Sequence, residues 1–394
     1  MHEVSMELTA VLRHAVEAGA SDVHFKVGQS PVLRLDGQLA PTSEFAPLAE
    51  ADLEAVLDQV TLVAPHRRQT FDESGDLDIA YSEPGLPRFR VNGFRQRGAI
   101  SFAFRIIPNT IPSFDDLHLP PGVGRLAEEQ RGLVLVTGAT GSGKTTTLAA
   151  MIDHINRTRK MHIVTIEDPI EILHPDRGCI VNQREVGLDT KSFGQALRRV
   201  LRQDPDVILI GELRDSETAH VALQAAESGH LVFSTMHTLD SAETIGRMVE
   251  FFPRELQPSV ISILAGVLRG VISQRLLPGL GGGRIPAVEV MVSNARIADL
   301  IREMRTHDIP EAIDEGEFFQ MQTFSKALIE LVLKGLVDRE TAANAASNAH
   351  DFGIALSHAE KSARRDDASG TEHDPGSLVG PTDDGLPTLR VAGG

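Results

Sequence analysis

Hydrophobic and polar positions follow two different rhythms along this chain. Apolar residues recur at helical spacing over residues 8–18 and 51–60. Residues 23–25, 32–35, 76–80, 88–94 and 100–105 read as short strands, and Asp36-Gly37 is a hairpin turn signal. From about residue 122 the pattern changes. Apolar runs at 133–137, 162–166, 207–210 and 231–235 alternate with helical stretches that begin at Lys144 and cover 193–202 and 216–227. Short apolar runs separated by helices predict a parallel sheet covered on both faces. Past Asp240 the chain reads as mostly helical, with one strand near 285–290. Pro108, Pro112, Pro120 and Pro121 mark residues 108–121 as a linker, because repeated prolines break helices and stiffen extended chain. Beyond residue 357, Arg364-Arg365-Asp366-Asp367 is followed by glycine, serine, proline and aspartate, too polar to bury a core. The prediction is an α/β chain: an N-terminal domain over 1–107, a linker over 108–121, a core domain with C-terminal helices over 122–356, and a disordered tail over 357–394.

Composition narrows the class. At 394 residues the chain exceeds one ordinary core, so two domains are expected. With 41% hydrophobic and 24% charged residues it reads as a soluble globular protein. A formal charge of −17 argues against a general nucleic-acid binder, which displaces counterions with positive surface. Cys179 is the single cysteine, which excludes an intrachain disulfide and a cysteine-rich zinc site and suits a reducing compartment. Met1-His2-Glu3-Val4-Ser5 has no basic or apolar signal character, and no apolar run nears the ~18 residues of a membrane helix. The expectation is a cytoplasmic protein that inserts in no membrane and reaches one only through partners.

Gly138-Ala139-Thr140-Gly141-Ser142-Gly143-Lys144-Thr145, followed by Thr146, matches G-x-x-x-x-G-K-S/T between a buried strand and a helix. The glycines let backbone N–H groups curl around phosphates, and the helix N-terminus adds partial positive charge. Lys144 is placed to reach the β- and γ-phosphates of ATP, and Thr145 to hold Mg²⁺. Two acidic strand ends follow. Residues 206–212 are an apolar strand in which Gly211 stands at the usual aspartate position and Glu212 comes next. Glu212 is the candidate to orient water and to support the metal, directly or through water. Glu167-Asp168-Pro169-Ile170-Glu171 sets three acids after another strand, with Glu171 the candidate acid and Asp168 or Glu167 in support. From spacing alone, a solvated loop with a helix-start carboxylate explains them equally well. His230 and His237 bracket the strand at 231–235. They stand too far apart for a compact metal site. His237, at the carboxyl end, is the candidate γ-phosphate sensor, and His230 a coupling or structural residue.

These motifs, in this order, resemble the secretion ATPase superfamily and within it the PilT-type twitching-motility ATPases. The resemblance runs through TIEDPIE (165–171), VNQREVG (181–187), DPDVILIGELRD (204–215) and GHLVFSTMHT (229–238). It also includes SDVHFKVGQSPVLRLDG near the start, FRVNGFRQRGAISFAFRIIP (89–108) and MQTF (321–324), and it extends to about residue 348. It implies a PAS-like first domain, a RecA-like phosphate-loop core and a homohexameric ring that closes head to tail. It implies ATP hydrolysis that pulls on an inner-membrane pilus platform protein, to retract type IV pili. It casts Glu171 as the acid of the Asp box, Glu212 as an atypical Walker B glutamate, and His230 and His237 as the His box. Arg90 and Arg105 are similar to first-domain arginines that approach the phosphates when the domains close. The retraction-associated stretch AIRNLIRE is altered at Ala298 and Asp299. Accessory retraction ATPases and assembly ATPases are the nearest rivals. The single cysteine opposes the latter, many of which carry a four-cysteine zinc element. A non-hydrolysing regulator is opposed by the intact Lys144, Thr145, Glu171 and Glu212, and a DNA or RNA translocase by the acidic balance.

Overall fold

The computed structural model describes residues 7–35, 37–107 and 110–369. Asp36 of the expected turn, Pro108 of the expected linker and residues 370–394 of the expected tail lie outside the described residues.

The N-terminal part runs α1 (Leu8–Glu17), β1 (Asp22–Lys26), β2 (Val32–Leu35), β3 (Gln38–Pro41), α2 (Glu50–Thr61), α3 (Pro65–Ser74), β4 (Asp76–Ser82), β5 (Arg88–Gln96) and β6 (Ala99–Ile107). Its six strands form one antiparallel sheet in the order β3-β2-β1-β6-β5-β4. Helices α1, α2 and α3 bury Val11, Leu12, Leu53, Leu57 and Phe71 in the same core as Phe25, Phe89, Phe102 and Phe104 of the sheet. Helix α3 escaped the hydrophobic pattern because Phe71 is its only buried residue. Its start is set by Pro65 in the first turn, and its end by Gly75 at φ +81°.

The second part runs α4 (Pro121–Ala127), β7 (Gly132–Thr137), α5 (Lys144–Thr158), β8 (His162–Glu167), β9 (Ile180–Glu185), α6 (Phe193–Val200), β10 (Val207–Ile210), α7 (Ser216–Glu227), β11 (Leu231–Met236), α8 (Ser241–Glu250), α9 (Gln257–Val267), β12 (Leu268–Pro278), β13 (Arg284–Val292), α10 (Ala295–Arg302), α11 (Ile309–Asp314), α12 (Phe324–Leu333), α13 (Arg339–Ala345) and α14 (Ala349–Ser369). Seven strands form a mixed sheet in the order β13-β12-β7-β11-β10-β8-β9. All neighbours are parallel except β12 and β13. The parallel order brings the carboxyl ends of β7, β8, β10 and β11 to one edge, which is where such sheets place ligands. Asp215 and Asp240 start α7 and α8 by accepting Thr218 N and Glu243 N at 2.8 Å each.

Two expectations are corrected. The region after Asp240 is not helical apart from one strand: residues 268–278 form β12, which pairs with β7 beneath the phosphate loop. Unbroken burial over residues 270–274 of β12 erases the alternation that marks a strand, and α9 runs directly into it. The tail expected to be disordered from 357 instead continues α14 as far as Ser369. Phe352 and Leu356 anchor that helix in a third cluster with Phe324, Leu328 and Leu277. Among the described residues no helix is long and apolar enough to cross a membrane.

Candidate active site

The phosphate loop follows β7, all of whose residues are buried, and opens α5. Gly138, Gly141 and Gly143 take φ of +140°, +79° and +90°, a region that side chains resist. At Gly138 and Gly143 space opposes a side chain as well, while Gly141 is open. A Cβ on Gly138 would stand 2.4 Å from the Gln274 carbonyl oxygen, and one on Gly143 2.9 Å from Gln274 Nε2. Gln274 lies on β12, is 2% exposed, and donates from Nε2 to Ser142 O at 2.8 Å. It forms the floor of the loop, and it was invisible until β12 was recognised as a strand. Ala139, Thr140 and Thr145 at the loop surface are exposed, Thr146 is half-buried, and Ser142 is buried.

Lys144 donates from Nζ to Gly138 O at 2.8 Å and to Ala139 O at 3.0 Å. Burial holds its ammonium below the usual lysine range, and the carboxylates of Glu212 and Glu171 pull it partly back. Both predicted acids therefore act on the predicted phosphate lysine, although they come from different strand ends.

Glu212 follows β10 and is 15% exposed at its side chain. His237, just past β11, donates from Nε2 to Glu212 Oε2 at 3.2 Å; a carboxylate only accepts, which assigns the tautomer. Arg214 pairs with the other oxygen, Oε1. Gly211 is held by Thr235, whose hydroxyl donates to Gly211 O at 2.7 Å. A cleft of about 810 Å³ opens beside Arg214 and His237, away from the phosphate loop, walled by α8 and the 3-10 turn Thr306–Asp308.

In the loop after β8, Glu171 lies 3.4 Å from Arg90 Nη1, and Arg90 also grips Asp78 at 2.9 Å. Asp168 is exposed, precedes Pro169 through a cis bond, and adds its charge near Arg90. Burial raises the Glu167 carboxyl above the usual range, opposed by donation from Thr165 Oγ1 at 2.6 Å and Gln183 Nε2 at 3.1 Å.

Thus Lys144, Glu171, Glu212 and His237 come together, and Arg90 reaches Glu171 from the first sheet. Two predicted residues do not join them. Arg105 stands opposite Arg90 in the β5–β6 register but turns to Asp22 at 3.0 Å and is 70% exposed. His230 sits at the other end of β11, where Ala225 O and Ser228 Oγ each lie 3.0 Å from Nδ1. Sequence reasoning missed Arg88, two residues before Arg90 on the same face of β5, which pairs with buried Glu185 at 2.6 Å. That two-residue spacing was the available signal.

A phosphate loop on a mixed, mostly parallel sheet, with acids on adjoining strand ends, defines the class of phosphate-loop nucleoside triphosphatases. Residues 121–283 match the family described as Type II/IV secretion system protein. The chain is 44% identical over 347 residues to the type IV pilus retraction ATPase PilT of Pseudomonas aeruginosa, covering 88% of this chain and 100% of that one. It is 39% identical over 352 residues to the type IV pilus ATPase PilU of the same organism, covering 89% and 91%. A crystal structure of the pilus retraction motor PilT with bound ADP aligns with a TM-score of 0.80 at 44% identity, over 87% of this chain and 98% of that one. The Legionella pneumophila ATPase DotB aligns at 0.76 and 27% identity, over 87% and 96%. This chain belongs to the PilT family of pilus retraction ATPases.

Proposed function

We propose that this chain hydrolyses ATP at residues 138–146 and turns the cycle into force that retracts a type IV pilus. In this reading it works as a homohexameric ring at the cytoplasmic face of the inner membrane, against a pilus platform protein. The observation that carries the reading is the convergence of Lys144, Glu212, Glu171 and His237 from neighbouring strand ends, with Arg90 arriving from the other sheet.

The triphosphate lies along the backbone N–H groups of the loop at the start of α5. Lys144 exchanges the carbonyls of Gly138 and Ala139 for phosphate oxygens. Glu212, held in place by His237, orients the attacking water and takes its proton as the γ-phosphate is released. Arg90 moves from Glu171 and Asp78 to the phosphates as the domains close, and Arg105 follows only in the assembled ring. Thr145 and Glu212 supply oxygen donors that fit Mg²⁺. Among the described residues no group of three His, Cys, Asp or Glu could hold a metal. When bound, Mg²⁺ neutralises charge on the phosphates.

Phosphate release by wild type, Lys144→Ala and Glu212→Gln tests the enzyme; equal background rates from all three would end the reading. Native mass spectrometry showing only monomers with an ATP analogue would remove the ring. Deletion in the source organism separates the roles: excess pili without twitching supports retraction, and bald cells mean assembly. A second reading, an accessory retraction ATPase, is favoured by Ala298 and Asp299 in α10, where Asp299 pairs with Arg302 at 2.6 Å. Twitching that persists after deletion would select it.

A further inference from the structure

Residues 168–175, which carry Glu171, belong to no helix or strand, so no backbone ladder fixes them. Three of their backbone groups are held by side chains of the edge strand β9, while Asn156 of α5 donates to Pro175 O at 2.7 Å and the Glu167 carboxylate receives the Glu171 backbone N–H. Gln183 Nε2 donates to Ile172 O at 2.8 Å, and Gln183 Oε1 accepts from His174 N at 2.8 Å. Glu185 Oε2 accepts from Ile170 N at 3.2 Å. The held positions, 170, 172 and 174, alternate along the loop and flank Glu171 on both sides. Gln183 and Glu185 are two residues apart, so both project from one face of β9.

The bracket is fully engaged. The Gln183 amide spends its remaining hydrogen on Glu167 Oε1 at 3.1 Å. Glu185 is 3% exposed, and the oxygen that receives Ile170 N also receives Arg88 Nη2 at 2.6 Å. The Glu185 backbone N–H donates to Asp189 Oδ2 at 2.8 Å, which pins the end of the strand. One buried carboxylate therefore touches both the loop of Glu171 and the first domain. Removing Arg88 leaves that charge buried without its partner, and the loop shares the disturbance.

We propose that Gln183 and Glu185 are positioning residues that set Glu171 for hydrolysis, and that Arg88 makes the setting depend on where the first domain sits. The inference rests on the hydrolytic reading above and goes beyond it, because neither residue faces the phosphate loop. Substrate binding stays with the phosphate loop, so the bracket acts on turnover and not on affinity.

The test measures kcat and KM for ATP, with thermal melts, on the full-length chain. Gln183→Leu is expected to lower kcat on the order of tenfold, with KM within about twofold and the melt retained. In a Glu171→Gln background the same change is expected to add nothing, since the residue it positions is already disabled. Arg88→Leu is expected to slow turnover, and adding Glu185→Gln, which still accepts from Ile170 N without a buried charge, to restore it. Wild-type turnover in Gln183→Leu, or a loss that multiplies with Glu171→Gln, overturns the inference and leaves the hydrolytic reading standing. A shared loss of melt and KM in Gln183→Leu assigns it to general folding and overturns it also. No phosphate release by wild type overturns both.

Discussion

The two sheets solve burial in opposite ways. The first is antiparallel throughout, and its aliphatic core is built around a cluster of aromatic rings: Phe104 meets Phe25, Phe102 and Phe89 at 5.1, 6.0 and 6.3 Å between ring centres. One face of β5 keeps charged residues, and Arg88 and Arg90 alternate along it toward the second sheet. The second sheet is mostly parallel and aliphatic, with β7, β10 and β11 buried on both faces. Such strands leave no face for chemistry, so the reactive groups gather at their ends. An antiparallel sheet offers function a face, a parallel one offers an edge, and here the arginines of the face meet the acids of the edge.

The sharpest way to break this comparison is to damage one core and watch the other. Phe104→Ala is expected to cost about 3–5 kcal/mol through cavity formation. The chain has no tryptophan and one tyrosine, Tyr81, which packs 6.4 Å from Phe104, so tyrosine emission follows the first sheet alone. In denaturant, the tyrosine transition should move far more than the far-ultraviolet signal of the whole chain, most of whose helices and strands belong to the second part. Coincident shifts would mean that the sheets unfold as one. At the edge, Lys144→Ala and Glu212→Gln are each expected to reduce phosphate release about 10²–10³-fold, with Glu212→Gln still binding a fluorescent ATP analogue.

A third prediction concerns pH. Burial lowers His174, in the Glu171 loop, from an ordinary 6.5 to about 4. Folding therefore favours its neutral form, and the unfolded chain binds the extra proton between those values. Stability from this site is complete above about pH 6.5 and is lost as pH falls toward 4, by about 3 kcal/mol. His174→Gln should flatten that part of a stability curve measured by denaturant titration at stepped pH; an unchanged curve would refute the assignment. Arg90→Ala should slow turnover about tenfold, roughly 1.4 kcal/mol, with little change in melting, since its partly exposed ion pairs stabilise weakly. Arg105→Ala should change turnover of the isolated chain within about twofold, because Arg105 turns to Asp22. A large loss in steady-state rate would show that it swings to the nucleotide in the ring.

Most of the site was legible because its motifs are local. The phosphate loop follows from glycines and a lysine at set spacing, and Glu212 and His237 from the ends of apolar strands. Gln274 was not legible, because it sits in a run of five buried residues of β12, 270–274, that carries no alternating signal. Gln183 could be quoted within a motif, yet nothing in one dimension says that its amide grips Ile172 and His174. Helix α3 was lost for the opposite reason, having almost no apolar residues to show a period.

By itself the sequence determined the period of most elements though not of α3 or β12, the backbone freedom of Gly138, Gly141 and Gly143, and the kinds of charge at each strand end. Those properties reside in single residues and their near neighbours, where torsional sterics and hydrophobic spacing act. Only the tertiary structure decided that Arg90 faces Glu171 while Arg105 faces Asp22, that His237 joins Glu212 while His230 stays behind, and that Gln274 closes the loop from below. These are contacts between segments tens to more than a hundred residues apart. Sheet order and burial choose such pairings, because a buried charge or amide must find its partner wherever the fold brings one within reach.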